Sequence, residues 1–159
     1  MSEGKILIVD DEQIVHESII DVLEDEGYKI FSAYNGEEGI SLYNSHKPSL
    51  IILDLRMPGM NGIQFLEKLV VKPDDPFSVI VLTGHGDVED MEKTYDLGIR
   101  SFLRKPFDIK ELRKLVSSCI NLKQVEINLT TDVSKREDAD SQMAEYRKQL
   151  NQMMDSLKI

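Results

Sequence analysis

Short aliphatic runs alternate with amphipathic stretches along most of the chain. "KILIV" (Lys5–Val9) is a buried-strand pattern, and Val15, Ile19, Val22 and Leu23 follow at helical spacing, closed by Gly27. "YKIFSA" (Tyr28–Ala33) predicts a second strand. Asn35 with Glu38 reads as a capping box for a second helix that Pro48 ends. "LIIL" (Leu50–Leu53) is a third strand, and Asn61-Gly62 opens a helix through about Val70. "SVIVL" (Ser78–Leu82) is a fourth strand. Asp87 caps a helix with apolar Val88, Met91 and Tyr95, ended by Gly98. "SFL" (Ser101–Leu103) is a short fifth strand. Asp108 with Glu111 resembles another capping box, so a fifth helix starts after Pro106.

Five strands, each followed by a helix, predict (βα)5. Unbroken aliphatic strands imply a parallel sheet covered on both faces, and right-handed crossovers favour a doubly wound α/β arrangement.

After Phe107 the chain holds neither glycine nor proline. Leu115, Leu122, Leu129, Met143, Leu150 and Leu157 recur at seven-residue spacing, with Arg136 as the exception. Val125, Ala139, Tyr146 and Met153 lie offset by three, interrupted by Ser118 and Asp132. This is a heptad seam with a polar middle. It fits a long helix that self-associates. It also fits a fifth helix, a polar linker near "TTDVSKREDAD" and a shorter helix restarting at Ser134.

The sequence has 159 residues, which suits one domain plus an appendage. Its single cysteine, Cys119, allows no internal disulfide and is read as buried. "MSEGKILIVDDE" has no signal-peptide pattern, and the longest aliphatic run is far too short to span a bilayer. A cytoplasmic protein without membrane contact is expected. Residues 1–105 hold 10 Lys/Arg against 20 Asp/Glu, whereas residues 106–159 hold 9 of each. Neither part has the basic excess of a nucleic-acid surface, so no direct DNA binding by this chain is expected.

The chemistry gathers at the strand ends. In an open α/β sheet, ligands bind beyond the carboxyl ends of the strands. Asp10-Asp11 and Glu12 follow the first strand, Asp54 ends the third, Thr83 ends the fourth, and Lys105-Pro106 follows the fifth. Each has an ordinary explanation alone: a turn-forming aspartate, a helix cap, a solvated lysine. Together, clustered carboxylates repel unless a cation sits among them, and oxygen ligands select Mg²⁺ or Ca²⁺. A lysine and a threonine beside such an ion suit a phosphoryl group, and a central carboxylate can serve as the nucleophile.

These residues resemble the receiver domain of two-component response regulators. The resemblance rests on Asp10-Asp11, "DLRMPGMNG" from Asp54, "VLTGHGD" with Thr83 and "FLRKPF" with Lys105, and covers roughly residues 3–122. It implies a flavodoxin-like fold with strand order 2-1-3-4-5. It divides the chain into a receiver domain at 1–122 and, at 123–159, a helical extension read as a coiled-coil dimerisation or connector segment. Asp54 would accept a phosphoryl group from a histidine kinase or phosphotransfer protein. Asp10, Asp11, Asp54 and the backbone carbonyl of Arg56 would hold Mg²⁺. Lys105 and Thr83 would contact the phosphoryl oxygens, and Phe102 occupies the position of an aromatic switch that turns inward when Thr83 moves. The Lys105-Pro106 bond resembles the family's cis peptide.

Switching is then expected on the face made by the fourth helix, fifth strand and fifth helix, about Asp87 to Cys119. Homodimerisation through that face or the C-terminal helix is expected with it. Arg56 and His85 are candidate modulators of the acyl-phosphate lifetime, and His16 and His46 read as surface or packing residues. A phosphatase of the haloacid dehalogenase type also uses a strand-end aspartate, but needs a second aspartate where Arg56 stands. A nucleotide switch would need G-x-x-x-x-G-K-[ST], which does not occur.

Overall fold

Each aliphatic run becomes a strand of one parallel sheet. The computed structural model describes residues 4–69, 77–84, 88–131, 148 and 151–152. The strands are β1 (Lys5–Val9), β2 (Lys29–Ala33), β3 (Leu50–Asp54), β4 (Ser78–Thr83) and β5 (Ser101–Arg104), ordered β2-β1-β3-β4-β5. The helices are α1 (Gln13–Leu23), α2 (Gly36–His46), α3 (Gly62–Leu69), α4 (Val88–Asp96) and α5 (Ile109–Thr131). The expected doubly wound, flavodoxin-like order is therefore present.

Two apolar layers cover the sheet. Side chains alternate across a strand, so Ile6, Ile8, Leu50, Ile52, Ile80 and Leu82 pack with α1 and α5 on one face. Leu7, Val9, Ile51, Leu53, Val79 and Val81 pack with Phe65, Leu66 and Met91 on the other. β3 is buried along its whole length. That burial explains why its sequence is an unbroken aliphatic run ending in a carboxylate.

The helix boundaries follow local chemistry. Gly27, at φ +89°, closes a 3-10 turn (Glu24–Glu26) that extends α1. The Asn35 side chain accepts from the Glu38 amide at 2.8 Å, as its spacing predicts. α2 stops one step before Pro48, with Lys47 in the left-handed region at φ 49°. A reciprocal box opens α3: Asn61 Oδ1 accepts from the Gln64 amide at 2.9 Å, and Gln64 Oε1 from the Asn61 amide at 3.0 Å. At α5 the Asp108 carboxylate accepts from the Lys110 amide at 2.8 Å, so Glu111 is not its partner.

Three expectations need correction. Val88 is exposed, and Thr94 takes a buried place on α4. Thr94 Oγ1 donates to the Met91 carbonyl at 2.8 Å, which satisfies the hydroxyl away from water. Leu115 is fully buried with Leu112, Val116 and Cys119 against the sheet, so it belongs to the core and not to a dimer seam. β5 also runs one residue further than expected, to Arg104.

α5 continues unbroken through Thr131, past the expected boundary at 122. Val70, His85, Asp87, the restart at Ser134 and the seam residues Met143, Leu150 and Leu157 lie outside the described residues. Among the described residues, no helix is long and apolar enough to cross a membrane.

Candidate functional site

Parallel register brings the strand ends to one edge of the sheet. Val9 lies opposite Leu53, Asp54 opposite Leu82, and Thr83 opposite Arg104. The residues that follow β1, end β3 and β4, and follow β5 therefore meet. One carboxylate oxygen from each of Asp10, Asp11 and Asp54 lies within 4.8 Å of the others. Asp10 and Asp54 are buried, whereas Asp11 is exposed.

Asp10 is fixed on every side. Its amide donates to the Ala33 carbonyl at 3.1 Å. Its Oδ1 accepts from the Glu12 amide at 2.8 Å, and its Oδ2 from Lys105 Nζ at 2.9 Å. These bonds exclude the helix-cap explanation: Glu12 is the N-cap of α1, and no side chain caps it. Lys105 also lies 3.5 Å from Asp54 Oδ2, so one ammonium is shared by two carboxylates. The Lys105 amide donates to the Thr83 carbonyl at 2.7 Å, and Lys105-Pro106 is cis.

Burial, then the charge of Asp10, pushes the Asp54 pKa up to about 6. Lys105, the Arg56 amide at 3.3 Å from Asp54 Oδ1, and Asp11 act with smaller weight; the first two lower it and the third raises it. Burial works against the Lys105 ammonium, but its hydrogen bond to Asp10 and the charges of Asp54 and Asp10 outweigh this and hold its pKa above the usual lysine value.

The raised Asp54 pKa gives a stability prediction. An acid whose folded pKa lies above its unfolded value of 3.8 favours the fold while protonated and loses that advantage as pH rises through about 6. Asp54→Asn removes the ionised form. In EDTA at pH 7.5 it should stabilise the chain by about 1–2 kcal/mol, discounted for solvent near the site. Near pH 4 the gain should vanish. Urea unfolding at both pH values reads this, and coincident midpoints at pH 7.5 would sink it.

Thr83 and Phe102 complete the edge. Thr83 is buried at the end of β4. Phe102 lies opposite Val81 and is already turned inward, buried with Met91 and Ile99. Arg56 is exposed. His85 cannot be placed among these groups because it lies outside the described residues. Of the other histidines, His46 stacks on Phe31 at 4.0 Å between ring centroids.

Two residues of this edge escaped sequence reasoning. Gly62 sits where a Cβ would lie 2.6 Å from the Asp54 carbonyl oxygen. His16 is buried and bonds the Asp10 backbone. A signal for His16 existed, because it shares one helical face with Ile19, Ile20 and Leu23.

The donor set fits a hard divalent cation: one oxygen from each of three carboxylates converges, and two of the three residues are buried.

The chain matches the family model described as "Response regulator receiver domain" over residues 6–117. It is 36% identical over 123 residues to Sporulation initiation phosphotransferase F of Bacillus subtilis, covering 77% of this chain and 98% of that protein. It is 34% identical over 151 residues to Response regulator Rre1 of Synechocystis, covering 92% of this chain and 64% of that one. Several relatives named as transcriptional regulators are about twice the length of the segment matched. Among solved structures, a response regulator receiver domain protein from Clostridium thermocellum superposes with a TM-score of 0.70 at 30% identity, covering 77% of this chain and 98% of that one.

Proposed function

This chain belongs to the response regulator receiver domains, and from that premise we propose that Asp54 is its phosphoacceptor. It is a phosphorelay signalling domain of the two-component kind, and such domains interact with histidine kinases or phosphotransfer proteins. One observation carries the assignment. Asp54 ends the buried central strand with its carboxylate between two further aspartates and the Lys105 ammonium.

The transfer follows from the site. An Asp54 oxygen attacks the phosphorus of a phosphohistidine, the P–N bond breaks with its electron pair passing to the imidazole, and an acyl phosphate forms. Lys105 neutralises phosphoryl oxygens, and Thr83 donates its hydroxyl to one of them. Mg²⁺, held by Asp10, Asp11, Asp54 and the Arg56 carbonyl, would supply charge neutralisation for the same oxygens. Water then hydrolyses the acyl phosphate slowly, with Arg56 and His85 as candidates for limiting it. Arg56 stands where a dehalogenase-type phosphatase needs its acid, which disfavours turnover of small phosphoesters.

Output passes through the face of α4, β5 and α5. The new phosphoryl charge draws Thr83 and Lys105 toward it, and the face repacks with Phe102 as its internal gauge. We place the receiver at 1–122 and assign 123–159 to a helical extension that supports dimerisation. Support comes from α5, which runs as one helix from Ile109 to Thr131, past residue 122. Output without DNA contact by this chain fits the acidic first 105 residues, and action in the cytoplasm fits a sequence with a single cysteine.

The test is direct. The full chain with Mg²⁺ and acetyl phosphate should take up one acid-stable, hydroxylamine-labile phosphoryl group. Peptide mapping should place it on Asp54, and Asp54→Ala should take up none. Labelling that survives Asp54→Ala refutes the assignment.

A further inference from the structure

The phosphoryl chemistry does not explain why a histidine is buried on α1. His16 is 1% exposed. Its Nε2 donates to the backbone carbonyl of Asp10 at 2.6 Å, and its Nδ1 has no hydrogen-bond partner. Its ring lies on that of Tyr34, with centroids 4.3 Å apart and planes at 32°. Tyr34 directly follows Ala33, whose carbonyl accepts from the Asp10 amide. A buried nitrogen without a partner costs free energy, and an aliphatic side chain would fill this place without that cost. The bond to Asp10 is what distinguishes the imidazole from such a filler.

That carbonyl belongs to the peptide plane joining Asp10 to Asp11. The plane is rigid, so holding its oxygen fixes the direction in which Asp11 leaves the chain relative to Asp10. The Asp10 carboxylate is held by Glu12 and Lys105. Asp11 is exposed, so the backbone beneath it sets its position.

We propose that His16 is a positioning residue for divalent-cation binding: through the Asp10 carbonyl it sets the angle between the Asp10 and Asp11 carboxylates. The proposal rests on the reading of that cluster as the Mg²⁺ site. The contact with Tyr34 helps to hold the imidazole in that place. Residues that orient a metal ligand from behind characteristically change affinity by about 10–100-fold when removed.

Three substitutions separate the donor from mere packing. His16→Gln carries an amide nitrogen that reaches the place of Nε2. His16→Asn carries one that falls short, near the place of Nδ1. His16→Leu fills the volume without a donor. The ¹⁵N-labelled full chain is titrated with MgCl₂, and the amide shifts of residues 10–12 and 54–56 are followed. Unfolding in EDTA is measured alongside. His16→Gln should bind Mg²⁺ within about threefold of the parent. His16→Asn and His16→Leu should bind about tenfold more weakly or worse, with no matching order in their metal-free stabilities. Should either the Asn or the Leu variant fail to fold, the other completes the comparison with Gln. Equal affinities of the Gln variant and a folded Asn or Leu variant overturn the proposal. An unsubstituted chain that shows no saturable Mg²⁺ shift overturns the metal site itself, a failure visible before any substitution is made.

Discussion

Lys105→Met should lose about 2–4 kcal/mol of stability at pH 8 in EDTA, and much less at pH 5. The lysine is shared by Asp10 at 2.9 Å and Asp54 at 3.5 Å, with only 20% of its side chain exposed. Removing one member of a buried ionic cluster leaves the rest uncompensated, and this is worth more than the pair itself contributes. The methionine replaces the aliphatic stem, so lost packing is a minor part. The pH dependence follows from Asp54. Its pKa is up to about 6 with the ammonium present, and Lys105 is one of the groups that lower it. Without that charge the value rises further, so the variant's deficit opens as pH passes from 5 toward 8. The lysine itself titrates above its ordinary value, so its own contribution is complete across this range. Saturating Mg²⁺ should narrow the deficit, because the ion supplies positive charge to the same carboxylates. Phosphoryl uptake should still fall by about a hundredfold if, as proposed, the ammonium neutralises the phosphoryl oxygens. Urea unfolding at the two pH values, with and without Mg²⁺, measures the stability terms, and labelling with acetyl phosphate measures the uptake. An equal deficit at pH 5 and pH 8 would refute the electrostatic account.

The sequence made the sheet legible because β3 and its neighbours are buried on both faces. A strand in that environment must be aliphatic throughout, as Leu50–Leu53 and Val79–Leu82 are. The site was legible for a related reason. Polar residues at the ends of such strands cannot hide in the alternation of a half-exposed sheet, so Asp10, Asp54 and Thr83 stand out. Other features depend on tertiary context. Thr94 is buried because its hydroxyl finds the Met91 carbonyl, which no periodicity records. Val88 is exposed although its helix also carries the buried Met91. Leu115 fits a heptad and a core face equally well, and contact with the sheet decides between them. His16 reads as neutral packing until its bond to the Asp10 carbonyl is seen. The roles of Asp54, Lys105 and Thr83 themselves come from the family pattern laid over this edge.

Gly62→Ala should be the most damaging methyl group that can be added to this chain's described glycines. Its backbone lies outside the left-handed region, so alanine meets no torsional obstacle there. In a helix's first turn alanine is otherwise the better residue. The obstacle is contact: the new Cβ would lie 2.6 Å from the Asp54 carbonyl oxygen and 2.8 Å from Leu55 Cα. Both are backbone atoms of the buried strand end and cannot swing aside. Gly62 also donates its amide to the Leu55 carbonyl at 3.0 Å, so α3 is tied to that strand end and cannot withdraw without losing the bond. Either the helix or the end of β3 that carries Asp54 must shift, at about 2–4 kcal/mol. Gly27→Ala is the control. Its φ of +89° strains an alanine, but nothing lies within 4 Å of the added carbon. It should cost about 1 kcal/mol and leave chemistry at the far end of the sheet intact. Phosphoryl uptake measured on folded protein separates the two. Gly62→Ala should slow it at least about tenfold, because a displacement of the Asp54 backbone carries the carboxylate away from Lys105 and the Asp10–Asp11 pair. Gly27→Ala should keep the parent rate. A Gly62→Ala chain as stable and as readily phosphorylated as the Gly27 variant would show that the close approach of α3 to β3 does not position the acceptor.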